Sequence, residues 1–215
     1  MRVLVTGGSS LLAGAVIERL LERGDAVTSF QRGRNARSVP SGAQMLRDDV
    51  TDAEAVADAV RGHDAVVHAA AKVDVVGRIE DFTDVNVGGT SNVLDACVRH
   101  DVPRLVYVST PSVAHAGRSL VAADAGHADP ATARGAYAVT KAAVEALAQV
   151  WASELANSDV RVNILNPGAT RTGMRAAAFP GEDPMSLKTP EDITDAFVEL
   201  AGADCTRHGE FIDLA

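Results

Sequence analysis

The chain opens MRVLVTGGSSLLAG, and no other stretch limits the possible folds as strongly. Arg2–Thr6 is an apolar run that stops at Gly7-Gly8. Such a run, without polar alternation, predicts a strand buried on both faces of a parallel sheet. Residues 11–23 then carry Leu12, Val16, Ile17, Leu20 and Leu21 at helical spacing, and Gly24 is a natural stop. A strand that turns through small residues into a helix is the first unit of a strand–helix–strand fold.

The unit recurs along the chain. Strands are expected at 26–30, 43–47, 65–68, 104–109, 160–165 and 210–214. Helices are expected at 52–61, capped by Thr51, and at 81–100, where Gly88-Gly89 marks close packing. A long helix over 135–157 would place Val139, Ala143, Leu147, Val150, Trp151 and Leu155 on one side. Thr189-Pro190 would start a last helix, running to about Leu200, as a cap followed by proline in the first turn. The pattern predicts an α/β fold, a Rossmann-type doubly wound parallel sheet of about seven strands with helices on both faces. With 215 residues, 47% of them hydrophobic, and no repeat or linker, residues 1–215 are expected to form a single domain.

Charge and composition narrow the partners. Twenty Lys+Arg against 29 Asp+Glu give a net charge of −9, which argues against a nucleic-acid surface. No apolar run approaches the roughly 18–20 residues of a membrane span, so no membrane partner is expected. The start does not read as a signal peptide, and Cys97 and Cys205 form no CxxC pair; a reducing cytoplasm is the expected location. Six histidines, at 63, 68, 100, 115, 127 and 208, show no metal-ligand spacing, so no metal is expected.

The turn after the first strand is where a doubly wound fold holds a dinucleotide's pyrophosphate. Small residues let the backbone approach the phosphates, and the helix start supplies N–H donors. Gly7, Ser9, Ser10, Leu11 and Leu12 are the expected contacts. Ser10 and Ala13 stand where the usual glycine pattern would place glycines. At the end of the second strand, where an NAD site carries Asp or Glu, stand Gln31, Arg32 and Arg34. Either arginine could pair with a 2′-phosphate, which favours NADP over NAD. Asp49 and Val50 follow the third strand and could touch the adenine; as the plainer alternative, Asp49 serves its own turn. His68, ending the fourth strand, could line the adenine side.

Tyr137 and Lys141 are four apart on the long helix and share a face. A free phenol titrates near 10, and a lysine cation beside it stabilises the phenolate and can also hydrogen-bond the ribose of a bound nicotinamide, so Lys141 is expected to bind the cofactor as well. Ser109, Thr110 and Ser112, at the end of the fifth strand, are candidates to hold a substrate oxygen.

These motifs, in this order, resemble the short-chain dehydrogenase/reductase superfamily. They are TGGSSLLAG, Asp49-Val50, HAAA at 68–71, Asn86 in DVNVGGT, YVSTPS at 107–112, YAVTK at 137–141 and NPGATRT at 166–172. The resemblance implies that Tyr137 is the acid/base, Lys141 its lysine, and Thr110 the hydroxyl at the substrate oxygen. It implies that Asn86 keeps a water-linked proton relay in place. Ala69, Ala70 and Ala71 would border the cofactor, and Pro167, Gly168, Thr170 and Thr172 would lie on its nicotinamide side. The stretch to about residue 112 is similar to the extended branch of epimerases and 3β-hydroxysteroid-type dehydrogenases. From about residue 135 the chain is similar to the branch of small oxidoreductases.

Only 74 residues follow Lys141, by 215 less 141, too few for the extended branch's substrate domain. The expectation is therefore an NADP(H)-dependent oxidoreductase, with NAD possible, acting on a small ketone, aldehyde or alcohol. A non-catalytic dinucleotide-binding regulator and a nucleotide-sugar epimerase or dehydratase are the alternatives. Residues 172–189, with Met174, Phe179, Met185 and Leu187, would be a lid over the substrate, and 114–134 the opposite wall. A homodimer or homotetramer is expected through the two long helices, where Ala142, Ala143, Ala146 and Ala148 permit close packing.

Overall fold

Seven strands pair in parallel in the order β3-β2-β1-β4-β5-β6-β7. They are β1 Arg2–Thr6, β2 Ala26–Gln31, β3 Gln44–Arg47, β4 Ala65–His68, β5 Arg104–Val108, β6 Arg161–Asn166 and β7 Phe211–Asp213. This is a computed structural model, and it describes residues 1–33, 39–73, 77–115 and 135–215. Most of the expected wall at 114–134, from residue 116 on, lies outside them.

Helices cover both faces, as the buried, unalternating strands require. On one face, α1 (Leu11–Glu22) and α7 (Thr194–Leu200) bury Val16, Ile17, Leu20, Phe197 and Leu200 against Val3, Val5, Val67 and Val106. A side chain such as Phe197, fully buried there, contributes roughly 2–3 kcal/mol by leaving water. On the other face, α2 (Ala53–Val60), α4 (Gly89–Arg99) and α5 (Gly135–Glu154) pack on Leu4, Val66, Leu105, Tyr107 and Ile164. The strand order reverses direction between β1 and β4, and in such sheets the ligand crevice opens at the carboxyl ends there.

The expected helix over 81–100 is a composite. A short α3 (Ile79–Phe82) runs into a wide π-helical turn, Thr83–Gly88, and then into α4. Gly89 opens α4 against the sheet: a Cβ there would stand 2.7 Å from Cγ2 of Val50, so the glycine permits the close contact its pair suggested.

Two expectations change, in α2 and α5. Asp52, rather than Thr51, caps α2: its carboxylate accepts from the amides of Glu54 and Ala55, at 3.1 and 3.0 Å. An ionised carboxylate also suits the positive helix start, and Thr51 is already bonded to Asp49.

Helix α5 turns a different side inward. Tyr137, Thr140, Lys141, Val144, Ala148 and Ala152 are buried, whereas Val139 is 62% and Val150 52% exposed. Apolar residues and alanines surround this helix, so their spacing does not select a face.

Residues 172–189 are structured. They hold α6 (Gly173–Ala178) and a 3-10 turn, Pro184–Ser186. Arg175 makes two 2.6 Å bonds to Glu182 and stacks 3.8 Å from the Phe179 ring centre. The last helix starts later than Thr189-Pro190: a 3-10 turn, Glu191–Ile193, comes first and leads into α7 at Thr194, with Asp192 N–H donating to Thr189 Oγ1 and Thr189 N–H to Asp192 Oδ2 at its start.

Candidate active site

The β1–α1 turn approaches the end of β4. Gly7 has φ +73°, and a Cβ on it would lie 2.9 Å from the Cα and N of Ala70. A side chain there would be strained and would fill the gap between the two strand ends. Ser10 caps α1, accepting from Ala13 N–H at 3.2 Å, while its own N–H donates to Gly7 O. The amides of Leu11 and Leu12 meet no acceptor among the described residues, so they remain as donors at a positive helix end. Ala13, in place of a glycine, is buried in the core under the helix. The turn thus keeps the backbone features a pyrophosphate needs, and the residues present fit a dinucleotide.

Two residues expected on the adenosine side, Arg32 and Asp49, lie near each other. Arg32 Nε lies 3.9 Å from Asp49 Oδ2, with Arg32 exposed and Asp49 partly so. Asp49 Oδ1 also accepts from Thr51 N–H and Oγ1–H, at 3.1 and 3.0 Å, so it shapes its own turn as the plainer reading held. Val50 is buried, and its carbonyl accepts from Asn92 Nδ2. Arg34 lies outside the described residues. Ser9 is exposed on the turn, and Ala69, Ala70 and Ala71 run from the end of β4 past Gly7. Across the sheet, Asn166 shapes the Pro167-Gly168 turn by accepting Gly168 N–H at 3.1 Å. Thr170 Oγ1 donates back to Pro167 O at 3.2 Å, and Thr172 Oγ1 caps α6 through Arg175 N–H.

His68 does not line the cleft. It is fully buried, with Nδ1 2.8 Å from Thr6 Oγ1 and Nε2 3.0 Å from Thr90 Oγ1. The Thr90 hydroxyl gives its proton to Asn86 O, so the imidazole carries its proton on Nε2 and accepts from Thr6 on Nδ1. Burial, aided by the Lys141 charge, pushes the ring down to about 3. A neutral histidine therefore ties β1, β4 and α4 together.

Asn86, on the π-helical turn, is equally committed. Its Oδ1 accepts Lys72 N–H at 2.7 Å; its Nδ2 donates to Lys72 O at 3.2 Å and to Thr140 Oγ1 at 3.0 Å. It joins the segment after β4 to α5.

Tyr137 and Lys141 share the buried face of α5, as their spacing requires. Lys141 is only 4% exposed; its ammonium donates to Val108 O at the end of β5 and sits 4.3 Å above the Tyr107 ring. Burial pushes this lysine down to about 7, and Glu145 opposes the shift. Burial, with Tyr137 and Glu145 nearby, holds Tyr107 well above the usual phenol range. Tyr107 thus stays a neutral platform under the cation. Thr110, buried after β5, donates to Ser112 Oγ and accepts Ser112 N–H, both at a long 3.3 Å.

Glu145 and Tyr107 were not singled out from the sequence. Glu145 is one turn past Lys141 on the same face, and Ser109 Oγ donates to it. The Tyr137, Lys141, Glu145 series at intervals of four was the available signal.

A family model described as the NAD dependent epimerase/dehydratase family matches residues 3–170. The 2-alkyl-3-oxoalkanoate reductase of Stenotrophomonas maltophilia (strain K279a) is 44% identical over 115 residues, 54% of this chain and 35% of that protein. The uncharacterized oxidoreductase YciK of Escherichia coli (strain K12) is 40% identical over 132 residues, 60% of this chain and 46% of its own. The chain therefore spans between a third and half of the length of these curated relatives. A short chain dehydrogenase from Escherichia coli CFT073, complexed with NADPH, superimposes with a TM-score of 0.80 at 30% identity, covering 99% of this chain and 95% of that one. The seven-stranded parallel sheet agrees with the structural match. This chain belongs to the NAD dependent epimerase/dehydratase family and, with it, to the short-chain dehydrogenase/reductase superfamily.

Proposed function

We propose that the chain is an NADP(H)-dependent oxidoreductase that interconverts a small ketone or aldehyde and its alcohol. One observation carries the reading: Tyr137 and Lys141 lie buried on one helix face, with the lysine held at the carboxyl end of β5 beside Thr110. The close approach of Gly7 to Ala70 lies at the same end of the sheet, where a ligand crevice is expected. The reductase names of relatives and the NADPH bound to the structural neighbour support it.

Leu11 and Leu12 amides, with Ser9 and Ser10, would hold the pyrophosphate, and Arg32 the 2′-phosphate that distinguishes NADP. When bound, the nicotinamide supplies or accepts the hydride. Tyr137 gives the proton to the carbonyl oxygen during reduction. The Lys141 ammonium stabilises the phenolate left behind. Thr110 exchanges its long bonds to Ser112 for one to the substrate oxygen. Asn86 acts as a positioning residue, since its amide is spent on Lys72 and Thr140. Pro167, Gly168, Thr170 and Thr172 border the nicotinamide side. Residues 172–189 would close over the substrate, with Met174 and Met185 exposed to meet it. The expected homodimer would cover Val98 of α4 and Val139 and Val150 of α5.

The test is a titration with NADPH and NADH by nicotinamide fluorescence, followed by a carbonyl substrate screen with the protein and Tyr137→Phe. Tighter NADPH binding is expected, with turnover lowered at least about 100-fold in the variant and NADPH affinity retained. Equal turnover by Tyr137→Phe would overturn the reading.

A further inference from the structure

We infer that Glu145 is a positioning residue for this site: held by Ser109, its carboxylate keeps the buried Lys141 cationic and ties the Thr110 turn to α5. The inference rests on Tyr137 and Lys141 being the reacting pair.

The geometry is specific. Lys141 is buried, with its ammonium on a backbone carbonyl and an aromatic face. Neither neutral partner offsets the cost of removing a cation from water. Glu145 on α5 and His68 on β4 interact with it electrostatically, Tyr107 on β5 lies under it, and Tyr137 shares its buried helix face. His68 and Tyr107 are neutral, so Glu145 supplies the negative charge. It stands one helical turn away and is itself half-buried, where Coulomb attraction is stronger than in bulk water. Burial and Asp213 of β7 push its carboxyl up, while the Ser109 bond and the Lys141 charge hold it down. Ser109 therefore helps keep Glu145 ionised.

The same bond has a mechanical effect. Ser109 precedes Thr110 in the turn after β5, and Glu145 follows Lys141 on α5. One hydrogen bond thus joins the segment carrying the substrate-oxygen hydroxyl to the helix carrying the acid and its lysine. Two substitutions separate the roles. Glu145→Gln keeps an acceptor for Ser109 and removes the charge. Ser109→Ala removes the bond and leaves the carboxyl group in place beside Lys141, whose charge still holds it down.

The experiment measures kcat and NADPH dissociation constants against pH for the wild-type protein and both variants. In parallel, Lys141 is titrated by NMR in cofactor-free protein carrying 13Cε-labelled lysine. For Glu145→Gln, the alkaline limb of both profiles and the Lys141 midpoint should move about one pH unit lower, with kcat on the acid side kept within about threefold. For Ser109→Ala, kcat should fall about tenfold at every pH, with the limb moving far less. Coincident Lys141 midpoints in wild type and Glu145→Gln would overturn the inference. A wild-type protein that neither binds NADPH nor turns over a substrate would instead overturn the reaction reading, and the NMR titration would still decide the role of Glu145.

Discussion

His68 makes the acid stability of this fold calculable. The ring is buried and neutral between Thr6 and Thr90, and burial holds it at about 3 against an ordinary value of 6.5. An unfolded chain takes up a proton at this histidine below pH 6.5, whereas the folded protein refuses it until about pH 3. Stability from this site is complete above pH 6.5 and drains away as the solution is acidified toward pH 3. By pH 5 the loss amounts to about 2 kcal/mol, a large part of a typical domain's margin.

The perturbation is His68→Gln, which retains an amide donor and acceptor but cannot titrate. Urea unfolding at pH 7.5 and at pH 5, followed by circular dichroism, gives the pH-dependent loss for each protein. Gln costs some stability at both pH values through imperfect geometry, which cancels in the comparison. His63, also lowered by partial burial, contributes equally to both proteins. The wild-type protein should lose about 2 kcal/mol more than the variant between the two pH values. Equal losses would refute the neutral assignment and with it the tie between β1, β4 and α4.

Two other substitutions test the frame of the site. Asn86→Ala strands the Lys72 amide and the Thr140 hydroxyl acceptor, and should lower stability by about 2–3 kcal/mol in the same urea assay while weakening turnover. Gly7→Ala forces a Cβ onto Ala70 at a positive φ; NADPH affinity in the fluorescence titration should drop at least about tenfold, and unchanged affinity would argue against a pyrophosphate at this turn.

The sequence made the sheet legible because each buried strand is a short apolar run ended by small residues, from Arg2–Thr6 onward. It made the Tyr137–Lys141 pair legible because their spacing matches a helical turn. The inward side of α5 was hidden, since Val139 and Val150 offer an apolar stripe as good as the true one. The choice is made by polar contacts to β5 and the π-helical turn, which depend on distant chain segments. His68 was misplaced for the same reason. Its partners, Thr6 and Thr90, are 62 and 22 residues away, and only the strand register sets the ring between them. Glu145 lies one turn past Lys141, but its partner Ser109 is 36 residues away, and only the fold brings the two together.

The π-helical turn at Thr83–Gly88 acts as a phase adjuster. An α-helix advances about 100° per residue, so one extra residue in a wide turn rotates everything beyond it by that amount. Upstream, Phe82 is buried, with the Lys72 ammonium 5.3 Å from its ring centre. Downstream, Gly89 meets Val50, and Val93 and Cys97 enter the core. Deleting a single residue between 83 and 88 would leave both halves helical yet bring them out of step. Either Phe82 would swing toward water or the Val93–Cys97 stripe would leave the sheet. An ordinary point substitution in this turn is a local injury; a one-residue deletion is a rotation of half the helix, and the fold should tolerate it far less well.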